Sequence, residues 1–204
     1  MSKLQNKILV TGATGFIGSN LVKKLGNSKN EITIFAKNSH HPFLNGLKLK
    51  RIEGDIKNYK SVLKAVKGCD YVYHLAACSL NNPREKERIF STNVLGTENV
   101  MKACLKSNVK KAVHVSSCSA LGFSKNEKIK LSEKDYLDFK DHIYGQSKKL
   151  GEDKVQEFVA EGLNAAIVIP AYVVGAGEVD TVIYDLFKSI ARGRKNTVCN
   201  ISRI

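Results

Sequence analysis

Tyr144 and Lys148 stand at i and i+4 in Tyr-Gly-Gln-Ser-Lys, a spacing that places a phenol and an ammonium one turn apart on one helix face. A free tyrosine titrates near 10 and is a poor base at neutral pH. A fixed cation beside it favours the phenolate, and such a pair can take a proton from an alcohol or return one to a ketone. The spacing alone is equally that of an exposed tyrosine and a solvated lysine. A second cluster, Ser116-Ser117-Cys118-Ser119, follows the apolar run Val113-His114-Val115. A hydroxyl there can polarise a substrate oxygen, or it can cap a strand end. The third feature is Thr11-Gly12-Ala13-Thr14-Gly15-Phe16-Ile17-Gly18, with glycines spaced G-x-x-G-x-x-G. Backbone N–H groups and the positive end of a helix dipole over such a turn bind an anion. Gly12 permits the turn, Gly15 lets a pyrophosphate approach, and Gly18 allows close helix–strand packing. An apolar strand precedes and an amphipathic segment follows, which points to a dinucleotide.

The elements that must hold these residues alternate along the chain. Strands are expected at Lys7–Val10, Glu31–Ala36, Lys50–Glu53, Tyr71–Leu75, Lys111–Ser116 and Ala165–Ile169. Helices are expected near Phe16–Leu25, Ser61–Val66, Glu85–Ser107, Tyr144–Glu161 and Thr181–Arg192. This order predicts right-handed β-α-β units and an α/β fold, a doubly wound parallel sheet in one domain over residues 1–204. Near-continuous apolar strands predict burial on both faces. The polar stretch Ser124–Asp141 falls at the sheet edge where ligands bind.

Composition narrows the partners. A hydrophobic fraction of 43% and a charged fraction of 25% are those of a globular protein. No apolar run approaches the roughly 20 residues of a membrane span, and the first residues lack a signal-peptide core. Five cysteines without C-x-x-C spacing predict reduced thiols in the cytoplasm, with no disulfide framework and no metal site. The net charge of +14 attracts polyanions. Its lysines are scattered, however, which predicts a solvated basic surface and no nucleic-acid partner.

The three clusters together resemble an extended short-chain dehydrogenase/reductase of the NAD-dependent epimerase/dehydratase group, and the likeness runs over nearly the whole chain. Thr11–Gly18 resembles that family's T-G-x-x-G-x-x-G, which implies cofactor contacts at Gly12, Thr14, Gly15, Phe16 and Ile17. Gly54-Asp55-Ile56 resembles the segment whose acid meets the adenine, implying roles for Asp55 and Ile56. His74-Leu75-Ala76-Ala77 resembles the H-x-A-A segment along the cofactor, implying Leu75, Ala76 and Ala77. Asn93-Val94-Leu95-Gly96-Thr97 resembles N-V-x-G-T, whose Asn93 supports the active site and is placed with the cofactor contacts. Aligned on Gly122, the catalytic hydroxyl falls on Ser117. Tyr144 and Lys148 take the acid/base and ribose-holding roles. Pro170-Ala171-Tyr172-Val173-Val174-Gly175 resembles the stretch beside the nicotinamide, implying Pro170 and Val173, with Ile169 replacing its usual arginine.

Two departures matter. Where NAD-using members carry an acid to hold the ribose 2′-hydroxyl, this chain has Ala36 followed by Lys37. A lysine can pair with a 2′-phosphate, so NADP is expected over NAD, with Lys37 as its contact. Family members also run beyond this chain's last residue into a substrate-covering lobe. The resemblance therefore leaves a fragment or a minimal protein with an open site, with apolar surface that favours association, including a homodimer. The expected activity is hydride transfer between the nicotinamide cofactor and a secondary alcohol or ketone of a small molecule such as a nucleotide sugar. The reductase branch is slightly favoured over epimerases. The alternative is an NADP-binding sensor or scaffold without turnover.

Overall fold

The computed structural model describes residues 5–79, 82–122, 124, 131–132, 142–171, 173–175 and 188–193. Six strands form one sheet: β1 (Lys7–Thr11), β2 (Glu31–Ala36), β3 (Lys50–Glu53), β4 (Tyr71–His74), β5 (Lys111–Val115) and β6 (Ala165–Val168). Their order is β3-β2-β1-β4-β5-β6 and every pairing is parallel. The helices are α1 (Phe16–Gly26), α2 (Tyr59–Val66), α3 (Lys86–Phe90), α4 (Gly96–Lys106) and α5 (Ile143–Ala160). The strand order reverses between β1 and β4, and an open α/β sheet forms its ligand crevice at such a point.

Side chains alternate across the sheet, so each strand feeds two cores. Leu9, Val72 and Ala112 meet Val100, Met101 and Val155 in the core beneath α2, α4 and α5. Ile8, Val10, Ile32 and Ile34 join Val22 of α1 on the opposite face. Burial on both faces holds for β1 and most of β2. It does not extend to the sheet margins: β3 and β6 are half-buried to exposed, and Val168 is 49% exposed. Among the described residues each of these strands has a hydrogen-bonded neighbour on one side only, so less of its surface is covered.

The expected single helix Glu85–Ser107 is instead broken. A 3₁₀ turn at Pro83–Glu85 leads into α3, then one wide π turn at Ser91–Leu95, then α4. The π turn is local and lets one residue bulge inward, and that residue is Asn93. The predicted insertion Ser124–Asp141 and helix Thr181–Arg192 lie largely outside the described residues, although 188–191 is helical.

Candidate functional site

The glycine turn sits where β1 and β4 diverge. Gly12 adopts φ +70°, and a Cβ there would lie 2.5 Å from the Ala76 backbone nitrogen. A Cβ on Gly18 would lie 2.1 Å from the Gly12 carbonyl oxygen, so α1 approaches the turn only because that side chain is missing. Gly15 has no such neighbour nearer than 3.4 Å and leaves bare backbone facing outward. It also caps α1 without a side chain of its own to accept from the first-turn N–H groups, and that turn holds no acid. The N-terminus of α1 thus keeps its capacity for an anion.

Above this turn lies a cavity of about 480 Å³. Gly12, Thr14 and Gly15 form one wall, and Leu75, Ala76, Ala77 and Cys78 form another. Lys37 and Ile56 reach it from the far side. Eight of the residues expected to touch a cofactor therefore line one space. Sequence reasoning missed Phe35, Asn38, Gly54, Cys78, Arg88 and Thr92, which also line it. Arg88 and Thr92 carried a usable signal, being four apart on the segment that leads to Asn93. Among the described residues, Lys37 and Arg88 are the charged ones that line the cavity, and no acid does.

Other expected contacts stand elsewhere. Asp55 sits behind Lys37, its carboxylate 3.2 Å from the Lys37 ammonium and 3.7 Å from that of Lys57. Burial opposes its charge, but the Lys57 N–H and both cations hold the carboxyl below its usual range. Phe16 and Ile17 open α1 without lining the cavity. Pro170 accepts from the Cys118 N–H at 2.9 Å, and Val173 is 40% exposed. Two residues on, a Cβ on Gly175 would meet the Phe16 ring at 3.4 Å, so this stretch returns to the turn. Asn93 does not face the cavity; it is 1% exposed. Its Oδ1 accepts from the Cys78 N–H at 2.7 Å, and its Nδ2 donates to the Cys78 carbonyl at 3.0 Å and to Ser147 Oγ at 2.8 Å. Its amide is engaged in holding the wall, a correction to its placement among direct cofactor contacts.

The serine cluster divides by burial. Ser116 is buried and donates to the Glu152 carboxylate. Ser117, one residue on, shares a side-chain hydrogen bond with the Tyr144 phenol. Burial pushes that phenol's pKa up, the Ser117 bond pulls it down, and Cys118 and Cys78 nearby add to the rise. Cys78 thus touches both regions, lining the cavity and standing close to the phenol. Lys148 is 2% exposed, and its ammonium donates to the Val115 carbonyl at 2.8 Å. Burial brings its pKa down to about 8, against the opposing pull of Glu152 one turn on. The ammonium is engaged by a backbone carbonyl, and the Ser117 bond favours the phenolate.

Residues 8–202 match the NAD dependent epimerase/dehydratase family. Sterol demethylase protein B of Methylococcus capsulatus is 32% identical over 172 residues, which are 82% of this chain and 51% of that protein. Among solved structures, WbmG of Bordetella bronchiseptica in complex with NAD superposes with a TM-score of 0.80 at 25% identity, covering 95% of this chain and 62% of that one. MoeE5 in complex with UDP-glucose and NAD superposes with a TM-score of 0.75 at 29% identity, covering 92% and 62%. The chain spans about half the length of curated relatives it matches. With the glycine turn, the strand order and this match along nearly its whole length, the chain belongs to the NAD dependent epimerase/dehydratase family.

Proposed function

We propose that the chain binds a nicotinamide dinucleotide over the glycine turn and moves hydride between that cofactor and a secondary alcohol or ketone. The observation that carries this reading is a conjunction at one sheet edge. A cavity with no acid among its described lining residues surrounds a bare helix N-terminus, and the Ser117–Tyr144 hydrogen bond lies just beyond Cys78. The bound nicotinamide supplies the hydride donor or acceptor. Ser117 orients the substrate oxygen, and Tyr144 gives or takes the proton at its phenolic oxygen. Lys148 would hold the cofactor's ribose, where its charge would favour the phenolate. The substrate class is a small molecule such as a nucleotide sugar, supported by the UDP-glucose bound to MoeE5.

The finer cofactor reading is NADP. Lys37 lines the cavity beside Ala36, Arg88 adds a second cation, and among the described residues no lining acid repels a 2′-phosphate. That phosphate must compete with Asp55 for Lys37. Fluorescence titration should show NADPH binding more tightly than NADH, with Lys37→Asp reversing the order. Tighter NADH binding by the unaltered chain overturns the NADP assignment, and absence of binding by either overturns the function.

A further inference from the structure

The buried face of the sheet carries a polar row that the proposed chemistry does not use. Register sets Thr11 of β1, His74 of β4 and His114 of β5 side by side, and all three are at most 1% exposed. The bond directions along this row are determined by proton count. Thr97 Oγ1 donates to the Asn93 carbonyl at 2.7 Å, which uses its one proton. At 3.0 Å from His74 Nε2 it can then only accept, so Nε2 carries the hydrogen. Burial, and then the Lys148 charge, pull the His74 pKa down to about 3, so the ring is neutral and Nδ1 is bare. Nδ1 accordingly accepts from Thr11 Oγ1 at 2.7 Å, and that oxygen accepts in turn from the Ala76 N–H at 3.3 Å. At the other end Asn93 brackets Cys78 and donates to Ser147 Oγ, which donates to the Tyr144 carbonyl at 2.7 Å.

We propose that His74 is a positioning residue that couples the dinucleotide cavity to Tyr144. Its imidazole joins Thr11, which holds the cavity wall at Ala76, to Thr97 and Asn93, which hold that wall at Cys78 and reach Tyr144 through Ser147. This rests on the function proposed above. The two ends of the wall Leu75–Cys78 and the first turn of α5 are thereby parts of one bonded chain. A ligand that shifts the wall shifts the helix that carries the phenol. Neutral His74 suits this role because each ring nitrogen makes a bond of opposite sense. His114 cannot substitute for it: its ring lies 5.2 Å from that of His74, and neither of its nitrogens has a hydrogen-bond partner among the described residues.

The test uses ADP, which carries the adenine, ribose and pyrophosphate but no nicotinamide to perturb Tyr144 directly. In the full chain labelled at tyrosine Cζ and backbone nitrogen, ADP should shift the Tyr144 and Ser147 signals. In His74→Phe, which keeps a ring and loses both bonds, ADP should still bind, weakened at least about threefold, while those shifts fall at least about twofold. His74→Gln, able to restore the donor to Thr97, should recover part of the shift. Undiminished shifts in His74→Phe overturn the proposal, as do undiminished shifts in Thr97→Val, which breaks the same chain of bonds. Should His74→Phe fail to fold, the comparison is made with His74→Gln and Thr97→Val. Imidazole ¹⁵N spectra of the unaltered chain should show a neutral ring protonated at Nε2; the other tautomer overturns the coupling by itself. ADP failing to bind the unaltered chain sinks the cofactor reading, and the imidazole spectrum then still decides the His74 bonds.

Discussion

Tyr144 and Lys148 are set apart by what each stands to lose on substitution. Tyr144→Phe removes one oxygen and the Ser117 bond, and leaves every cavity-lining side chain in place. Turnover by a preparation that has it should fall by about 10²–10⁴-fold, the usual contribution of a positioned proton donor, with dinucleotide affinity nearly unchanged. Full activity in that variant overturns the assignment. Lys148 makes a prediction about stability. An unfolded lysine titrates near 10.4, and in the fold burial brings this one down to about 8. Between those values the unfolded chain holds the proton and the folded one does not, so stability rises with pH across that window. Below about 8 the cost of the buried charge is present in full. Lys148→Met removes that cost, so its stability relative to the unaltered chain should be greatest near neutral pH and the gap should narrow toward about 10. Urea unfolding at two pH values measures the gap, and a pH-independent difference refutes the burial argument.

α5 has its own pH dependence, because its cap is a histidine. His142 Nδ1 accepts from the Gly145 N–H at 2.9 Å, which requires that nitrogen to be unprotonated. Burial lowers its pKa from the ordinary value, so the folded chain binds fewer protons than the unfolded one below about 6.5. Stability from this cap is present above that pH and is lost as pH falls through the folded value. The first turn of α5, with Tyr144 in it, should fray in mild acid. His142→Asn, a better cap, should remove this dependence, and His142→Ala should cost about 1 kcal/mol at neutral pH. Hydrogen exchange at Gly145 and Gln146 is the measurement; equal protection at pH 5 and pH 8 in the unaltered chain would discount the cap. The preceding element shows what sequence leaves undetermined. Asn93 is legible as a motif residue, but the π turn that carries it inward is not. That turn depends on α5, where a Cβ on Gly151 would lie 2.8 Å from the Asn93 carbonyl.

Over the whole molecule, charge and topology act together. The chain carries a net +14, and the cavity presents Lys37 and Arg88 with no acid among its described lining residues. A dinucleotide is polyanionic, so the field of the surface and these two cations should speed its arrival. Affinity should fall at least about threefold between low salt and roughly 0.2 M, more steeply for NADPH than for NADH. Salt-independent binding would mean that the surface charge is mere solvation.

The sequence by itself determined what is local: the glycine turn, the strand cores and the helix bearing Tyr144 and Lys148. Each follows from the conformation of a few adjacent residues and from hydrophobic period, and the observed strands depart from the predicted ones by a residue at most. Only the tertiary structure decided what depends on distant neighbours. It separated Ser116, tied to Glu152, from Ser117 beside the phenol. It turned the Lys148 ammonium to Val115 and brought Arg88 to the cavity. It also joined Thr11, His74, Thr97, Asn93 and Ser147 into one bonded row. Those residues are scattered along the chain: parallel register sets Thr11 beside His74, packing brings the π turn, α4 and α5 against them with Asn93, Thr97 and Ser147, and burial favours pairing of their polar atoms.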